Sequence, residues 1–260
     1  MRIVIKAGSA LISDGHQLRR EWMLEKVREV VELVRSGHEV ILVSSGAVAA
    51  GMEIQGLAER PTRTLDLQLL SGIGQARLMK QYLDFFRIYG MAVAQILLTH
   101  HNFASPREVG SIIDVVETCL SRGVIPVVNE NDMVNKEQFE GVGRAFTDND
   151  VLASLVAVHL NADTLVLLTD VDGLYRGNPR DAAPGTAPEL VLEITGSPSE
   201  FSGHASGGGA LGSGGMASKL TAAEAAYQAR IATIIGNGNR SLHGLLSGEV
   251  PATRTLPGSA

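Results

Sequence analysis

Two lysines, each beside a run of small residues, carry the chemistry that this sequence offers. Lys219 follows Gly212-Ser213-Gly214-Gly215 at the start of an Ala-rich helical run. Small residues let backbone N–H groups approach phosphate oxygens, and a helix N-terminus adds favourable partial charge. Lysine supplies a mobile full charge. The same stretch also reads as a flexible loop, and its spacing is not that of a P-loop. Lys6 closes the apolar run Arg2–Ile5 and precedes Gly8-Ser9; alone, it also reads as a snorkelling surface side chain. Thr147-Asp148-Asn149-Asp150 opens another apolar helical run. A helix cap with first-turn charge accounts for one of those carboxylates better than for both.

These residues share a pattern of position. Five apolar strand candidates end in small or polar clusters: Lys6 to Ser9, Ser44-Ser45-Gly46, Asn129 to Asp132, Thr169 to Gly173, and Gly236 to Gly238. Ligands of open α/β sheets bind beyond the carboxyl ends of the strands. One such cluster is an ordinary turn, whereas five on the expected side point to a site. Competing chemistries fit less well. Gly72-Ile73-Gly74 lacks the third glycine and the preceding strand of a dinucleotide fingerprint. His100 and His101 are adjacent, so a regular element does not aim both at one metal, and no protein metal site is expected. Cys119 sits in an apolar helical run and reads as core.

The elements that must position these groups alternate. Strands are expected at Arg2–Ile5, Glu39–Val43, Met91–Leu98, Gly123–Val128, Thr164–Leu168 and Ile231–Ile235, with a further one at Glu189–Ile194. Helices are expected at 20–35, 66–89 with an interruption near Gly72 and Gly74, 108–120, 148–160 and 216–230. The apolar positions Met23, Leu24, Val27, Val30, Val31 and Val34 give the first helix its periodicity. Residues 53–64 read as a loop, 134–146 as a small hairpin over the site, and 247–260 as a loose tail. Strands alternating with helices predict a mainly parallel sheet covered on both faces.

Bulk composition narrows the class. The chain has 260 residues, 45% hydrophobic and only 4% aromatic, which suits a Val/Ile/Leu/Ala core between sheet and helices. A chain this long buries roughly three quarters of its unfolded surface and needs no staples. One cysteine excludes an internal disulfide framework and fits a reducing compartment. No signal-peptide core or spanning run is present, so a cytoplasmic protein is expected. A net charge of −6, from 22 basic and 28 acidic residues, argues against nucleic-acid or anionic-membrane partners.

In order along the chain, the motifs resemble those of the amino acid kinase family, and within it the glutamate 5-kinases. The matching segments are Ile5-Lys6 with Gly8-Ser9, Ser44 to Gly51, Gln68-Leu69-Leu70 with Gly74-Gln75, and Pro126 to Asp132. Asp148-Asn149-Asp150, Leu168-Thr169-Asp170 with Gly173-Leu174-Tyr175, and Leu211 to Lys219 complete the set. The resemblance covers nearly the whole chain. It implies a three-layer αβα sandwich forming one domain over 1–260. About 1–160 would bind the acidic substrate, about 161–248 would bind ATP, and 249–260 would be the tail.

By motif position, Ser45, Gly46, Asn129, Asp132, Asp148 and Asn149 would hold glutamate. Lys6, Gly8, Ser9, Thr169, Asp170, Ser213, Gly214, Gly215, Met216, Ala217, Ser218 and Lys219 would contact the nucleotide. Lys6 and Lys219 would stabilise the transferring phosphoryl group, with Asp150 orienting them. The resemblance further implies Mg2+ carried by the nucleotide phosphates, a homo-oligomer (dimer or tetramer), and proline as the candidate feedback ligand. It departs from the family at Ala7, Val109-Gly110-Ser111-Ile112, Thr147 and Leu152-Ala153-Ser154. Many bacterial relatives carry an additional C-terminal PUA domain, which this chain ends too early to contain. The alternatives are a same-fold kinase for a glutamate analogue or another small acid, and a non-catalytic amino-acid sensor. A sensor has no use for Lys6, Asp150 and Lys219 together.

Overall fold

In a computed structural model, which describes residues 1–135, 149–177, 188–204 and 215–256, the chain builds an α/β sandwich around one eight-stranded sheet of order β3-β4-β2-β1-β5-β7-β8-β6. The strands are β1 (Arg2–Ala7), β2 (Glu39–Val43), β3 (Val93–Leu98), β4 (Ile125–Glu130), β5 (Thr164–Thr169), β6 (Glu193–Ile194), β7 (Ala232–Asn237) and β8 (Ala252–Thr255). Every described pairing is parallel except β7 with β8. The described helices are α1 (Ser9–Ile12), α2 (Arg20–Arg35), α3 (Ala47–Gln55), α4 (Thr64–Ile88), α5 (Pro106–Ser121), α6 (Asn149–His159), α7 (Met216–Gln228) and α8 (Leu242–Ser247). None of them is long and apolar enough to cross a membrane.

Strand alternation produces the layers. Ile3, Ile5, Val40, Leu42, Val166 and Leu168 face one core, which they share with side chains of α1, α2, α3, α4 and α8. Val4, Ile41, Val43, Leu165 and Leu167 face the other, with side chains of α5, α6 and α7. Strands buried on both faces become continuous apolar runs. The central strands are of this kind, and their approximate positions are therefore legible in the sequence. The helix joining β1 to β2 lies on one face and α6, leading into β5, lies on the other. The connections therefore diverge at β1, and Lys6 sits at the carboxyl end of that strand, where such a fold opens a crevice.

Three expectations are corrected. Residues 47–55 are helical, so the loop begins only at Gly56, which adopts a left-handed conformation (φ 64°) that ends the helix. α4 runs without a break. The glycines there allow two helices to touch. A Cβ on Gly74 would lie 1.8 Å from the Ala47 carbonyl oxygen, and one on Gly51 would lie 2.0 Å from that of Leu70. The tail also contains β8, whose Ala252, Thr253 and Thr255 are buried beside β7. Its alternating threonines look polar in sequence, yet Thr253 donates to the Val191 carbonyl at 2.6 Å and so enters the core satisfied. Residues 257–260 and most of the expected hairpin at 134–146 lie outside the described residues.

The α3–α4 contact yields a stability test. Gly74→Ala is expected to lower stability by about 3 kcal/mol or more, since the clash is with backbone and cannot be relieved by a rotamer change. Gly110→Ala, in α5 where a new Cβ meets nothing within 4 Å, is expected to be neutral or to stabilise by up to ~1 kcal/mol. Urea-unfolding midpoints of the two variants check both signs.

Candidate active site

Parallel strands place their carboxyl ends on one edge of the sheet, and the polar clusters of β4, β2, β1, β5 and β7 meet there in that order. At the centre, Asp150 in the first turn of α6 joins the two lysines. Its Oδ1 lies 2.7 Å from Lys6 Nζ and its Oδ2 accepts from Lys219 Nζ at 2.9 Å. Asp150 is fully buried and both lysines are nearly so. Burial alone would raise the Asp150 pKa, but Lys219 and then Lys6 outweigh it and hold the carboxylate below its ordinary range. Among the described residues, two ammonium groups share this one carboxylate. Each ammonium has three donors, so the pair is suited to a polyanion.

The neighbouring half of the edge is a network of amides. Asn149 Nδ2 lies 2.8 Å from the Ser44 carbonyl, 2.8 Å from Ser45 Oγ and 3.0 Å from Asn129 Oδ1. Three acceptors around one NH2 group fix which end of the amide is nitrogen, so Oδ1 must face the other way. That oxygen is buried and has no hydrogen-bond partner among the described residues. Asn129 in turn donates to Gln75 Oε1 at 2.8 Å, and Ser44 Oγ meets Tyr82 Oη at 2.9 Å. Gly46 turns β2 into α3 with φ 95°, a conformation that favours glycine.

Asp132 is a second buried acid. Ser71 Oγ donates to its Oδ2 at 2.5 Å and Gln68 Nε2 to its backbone carbonyl at 2.9 Å, while Oδ1 has no partner among the described residues. Burial pushes its pKa up to about 6, against the opposing pull of Ser71 and then of Arg60. Buried acceptors without partners are costly and uncommon. Asn149 Oδ1 and Asp132 Oδ1 therefore suit a cationic donor from outside.

On the other side, Gly215 precedes α7, whose N-terminus has no side-chain cap. Ser218 Oγ is buried there without a partner among the described residues, next to Lys219. A Cβ on Gly8 would come 3.4 Å from Lys6 Nζ, so glycine keeps that approach open. An uncapped helix end, an unsatisfied hydroxyl and two lysines together fit a nucleotide's phosphates. Thr169 ends β5; its carbonyl accepts from Gly238 N at 2.8 Å, and its hydroxyl donates to Asp170 at 3.3 Å. Asp170 and Ala217 are exposed, and Met216 packs against the core. Ser9 starts α1. Asp148, Ser213 and Gly214 lie outside the described residues.

The fold thus joins Lys6, Asp150 and Lys219 directly, and Ser45, Asn129 and Asn149 directly. Sequence reasoning assigned nothing to Ser71 and no role to Gln68 or Gln75. Their signal was available: polar residues at i, i+3 and i+7 interrupt the buried face of a helix otherwise lined by residues such as Leu67, Leu70 and Leu78.

Comparison with known proteins agrees with this arrangement. The Amino acid kinase family matches residues 1–237. The glutamate 5-kinase of Deinococcus radiodurans is 39% identical over 98% of this chain and 69% of its own length. That of Marinomonas sp. is 39% identical over 98% of this chain and 67% of its length. Among solved structures, carbamate kinase from Giardia lamblia bound to AMP-PNP superposes with a TM-score of 0.65 at 18% identity, over 99% of this chain and 98% of that one; it supports the fold alone. On a match spanning most of the sequence, with two lysines converging on one aspartate at the strand ends, the chain belongs to the amino acid kinase family.

Proposed function

We propose that this chain transfers the γ-phosphoryl group of ATP to the side-chain carboxylate of L-glutamate, giving L-glutamyl 5-phosphate for proline biosynthesis. The observation that carries the reading is the Lys6–Asp150–Lys219 cluster on the same sheet edge as two buried acceptors without partners among the described residues, Asn149 Oδ1 and Asp132 Oδ1. The cluster is suited to a phosphoryl group and the two acceptors to the ammonium of an amino acid. The similarity to glutamate 5-kinases supports glutamate as that amino acid. In this reading Ser45, Gly46, Asn129, Asp132, Asp148 and Asn149 form the acceptor side. Gly8, Ser9, Thr169, Asp170 and the segment from Ser213 to Lys219 form the nucleotide side.

A carboxylate oxygen of the acceptor attacks the γ-phosphorus in line while the bond to the β,γ-bridging oxygen breaks and ADP departs. The nucleophile is already ionised, so no general base is required. What must be overcome is repulsion between two anions and the charge spread over the phosphoryl oxygens. Lys6 and Lys219 flank that charge, and Asp150 holds both ammonium groups in place before substrate arrives, so little reorganisation is needed. Mg2+ bound with the nucleotide would supply additional neutralisation of the phosphate charge, beside Lys6 and Lys219.

Lys219→Ala leaves the Lys6–Asp150 pair intact and is expected to keep the circular-dichroism spectrum while reducing kcat by ~10²–10³ or more. A near-native rate of ADP release overturns the role. In the presence of hydroxylamine, which traps acyl phosphates, glutamate with ATP is expected to give the hydroxamate. A panel of analogues and other small acids that outperforms it overturns the acceptor assignment.

The pH dependence follows from Asp132, whose pKa is about 6 in the ligand-free protein. Its carboxylate attracts the acceptor's ammonium and its neutral acid does not. kcat/KM for glutamate is therefore expected to fall about tenfold per unit as pH drops below that value, and to lose this limb in Asp132→Asn.

A further inference from the structure

α4 presents an inward stripe of three polar side chains, Gln68, Ser71 and Gln75, to the end of β4 and the residues that follow it. Gln68 fixes the backbone at Asp132, and Gln75 fixes the amide of Asn129. Ser71 alone reaches a carboxylate oxygen, and it does so at 2.5 Å with both residues buried. The opposite oxygen of that carboxylate is left without a partner.

Resting on the acceptor reading above, we propose that Ser71 is a positioning residue for the acceptor site: by binding Asp132 Oδ2 it orients the carboxylate so that Oδ1 meets the ammonium of the bound amino acid. A buried carboxylate with one oxygen satisfied and one open has a single preferred direction for its remaining hydrogen bond. Without the hydroxyl it is free to rotate, and Oδ2 loses its donor in a dry setting. The bond also stabilises the charged form. The charged group that acts on Asp132 from a packed neighbour, among the described residues, is Arg60 in the segment before α4. α4 itself contributes the neutral Ser71 and Gln68. Burial raises the Asp132 pKa, and Ser71 is the first of the two groups that oppose it.

Ser71→Ala removes one oxygen atom from a buried position and Ser71→Thr restores the hydroxyl. In Ser71→Ala the KM for glutamate is expected to rise about tenfold near neutral pH, in keeping with loss of a hydrogen bond to a charged group. KM for ATP should stay within about twofold, and kcat should fall less than KM rises. The acid limb of kcat/KM should move to higher pH by about one unit, since tenfold in binding is one unit of pKa. Ser71→Thr should recover both, and in an Asp132→Asn background Ser71→Ala should add nothing further. Equal rises in both KM values, or an unmoved acid limb, overturn the proposal.

A second measurement stands apart from the identity of the acceptor. The Asp132 carboxyl, followed by 13C NMR in the ligand-free protein, is expected to titrate about one unit higher in Ser71→Ala than in the parent. An unchanged titration overturns the proposal even if glutamate is the acceptor. A shifted titration with no glutamyl hydroxamate from the parent enzyme leaves Ser71 as the group that sets Asp132 and transfers the failure to the choice of acceptor.

Discussion

The arrangement depends on one buried carboxylate shared by two ammonium groups. Asp150 has no exposure to water, and a charge so placed is tolerable only when paired. Lys6 arrives on β1, Lys219 on α7 and Asp150 on α6. The triad therefore ties the centre of the sheet to the helical layer on one face. In the proposed function its two ammonium groups are the electrostatic basis for drawing in a phosphate. Stability and function are coupled here: the interaction that closes the fold around its edge is the one that prepares the site for an anion.

The opposite layer contributes through close packing. Gly51 and Gly74 bring α3 and α4 into backbone contact. That contact sets the depth at which Gln68, Ser71 and Gln75 reach the segment after β4. A helix standing off by one methyl group would leave Asp132 and Asn129 without those partners. The proposed acceptor side is thus shaped by α4 pressing on the strand ends, whereas the proposed phosphate side is shaped by helix N-termini and lysines. Asn149 and Asp150, neighbours in the first turn of α6, link the two halves.

Much of the fold could be read along the chain because central parallel strands are buried on both faces and become unbroken apolar runs. The edge was harder. β8 carries Thr253 and Thr255, whose hydroxyls are satisfied by the carbonyls of Val191 and Thr233, brought near by the fold, so locally the segment resembles a tail. α4 looked interrupted because glycine usually weakens a helix. The benefit of Gly74 lies in a contact with residues more than twenty positions away, and no local pattern reports it.

The sequence by itself determined that lysines, carboxylates and small residues would gather at the carboxyl ends of a parallel sheet. Strand periodicity and the position of each cluster after its apolar run require that. Only the tertiary structure decided which of them touch. It joined Lys6 and Lys219, separated by most of the chain, through Asp150, because a buried carboxylate must find its counter-charges wherever the fold supplies them. It also turned Ser71 from an unassigned position on a helix into the donor to Asp132, because packing sets that face of α4 against the residues that follow β4.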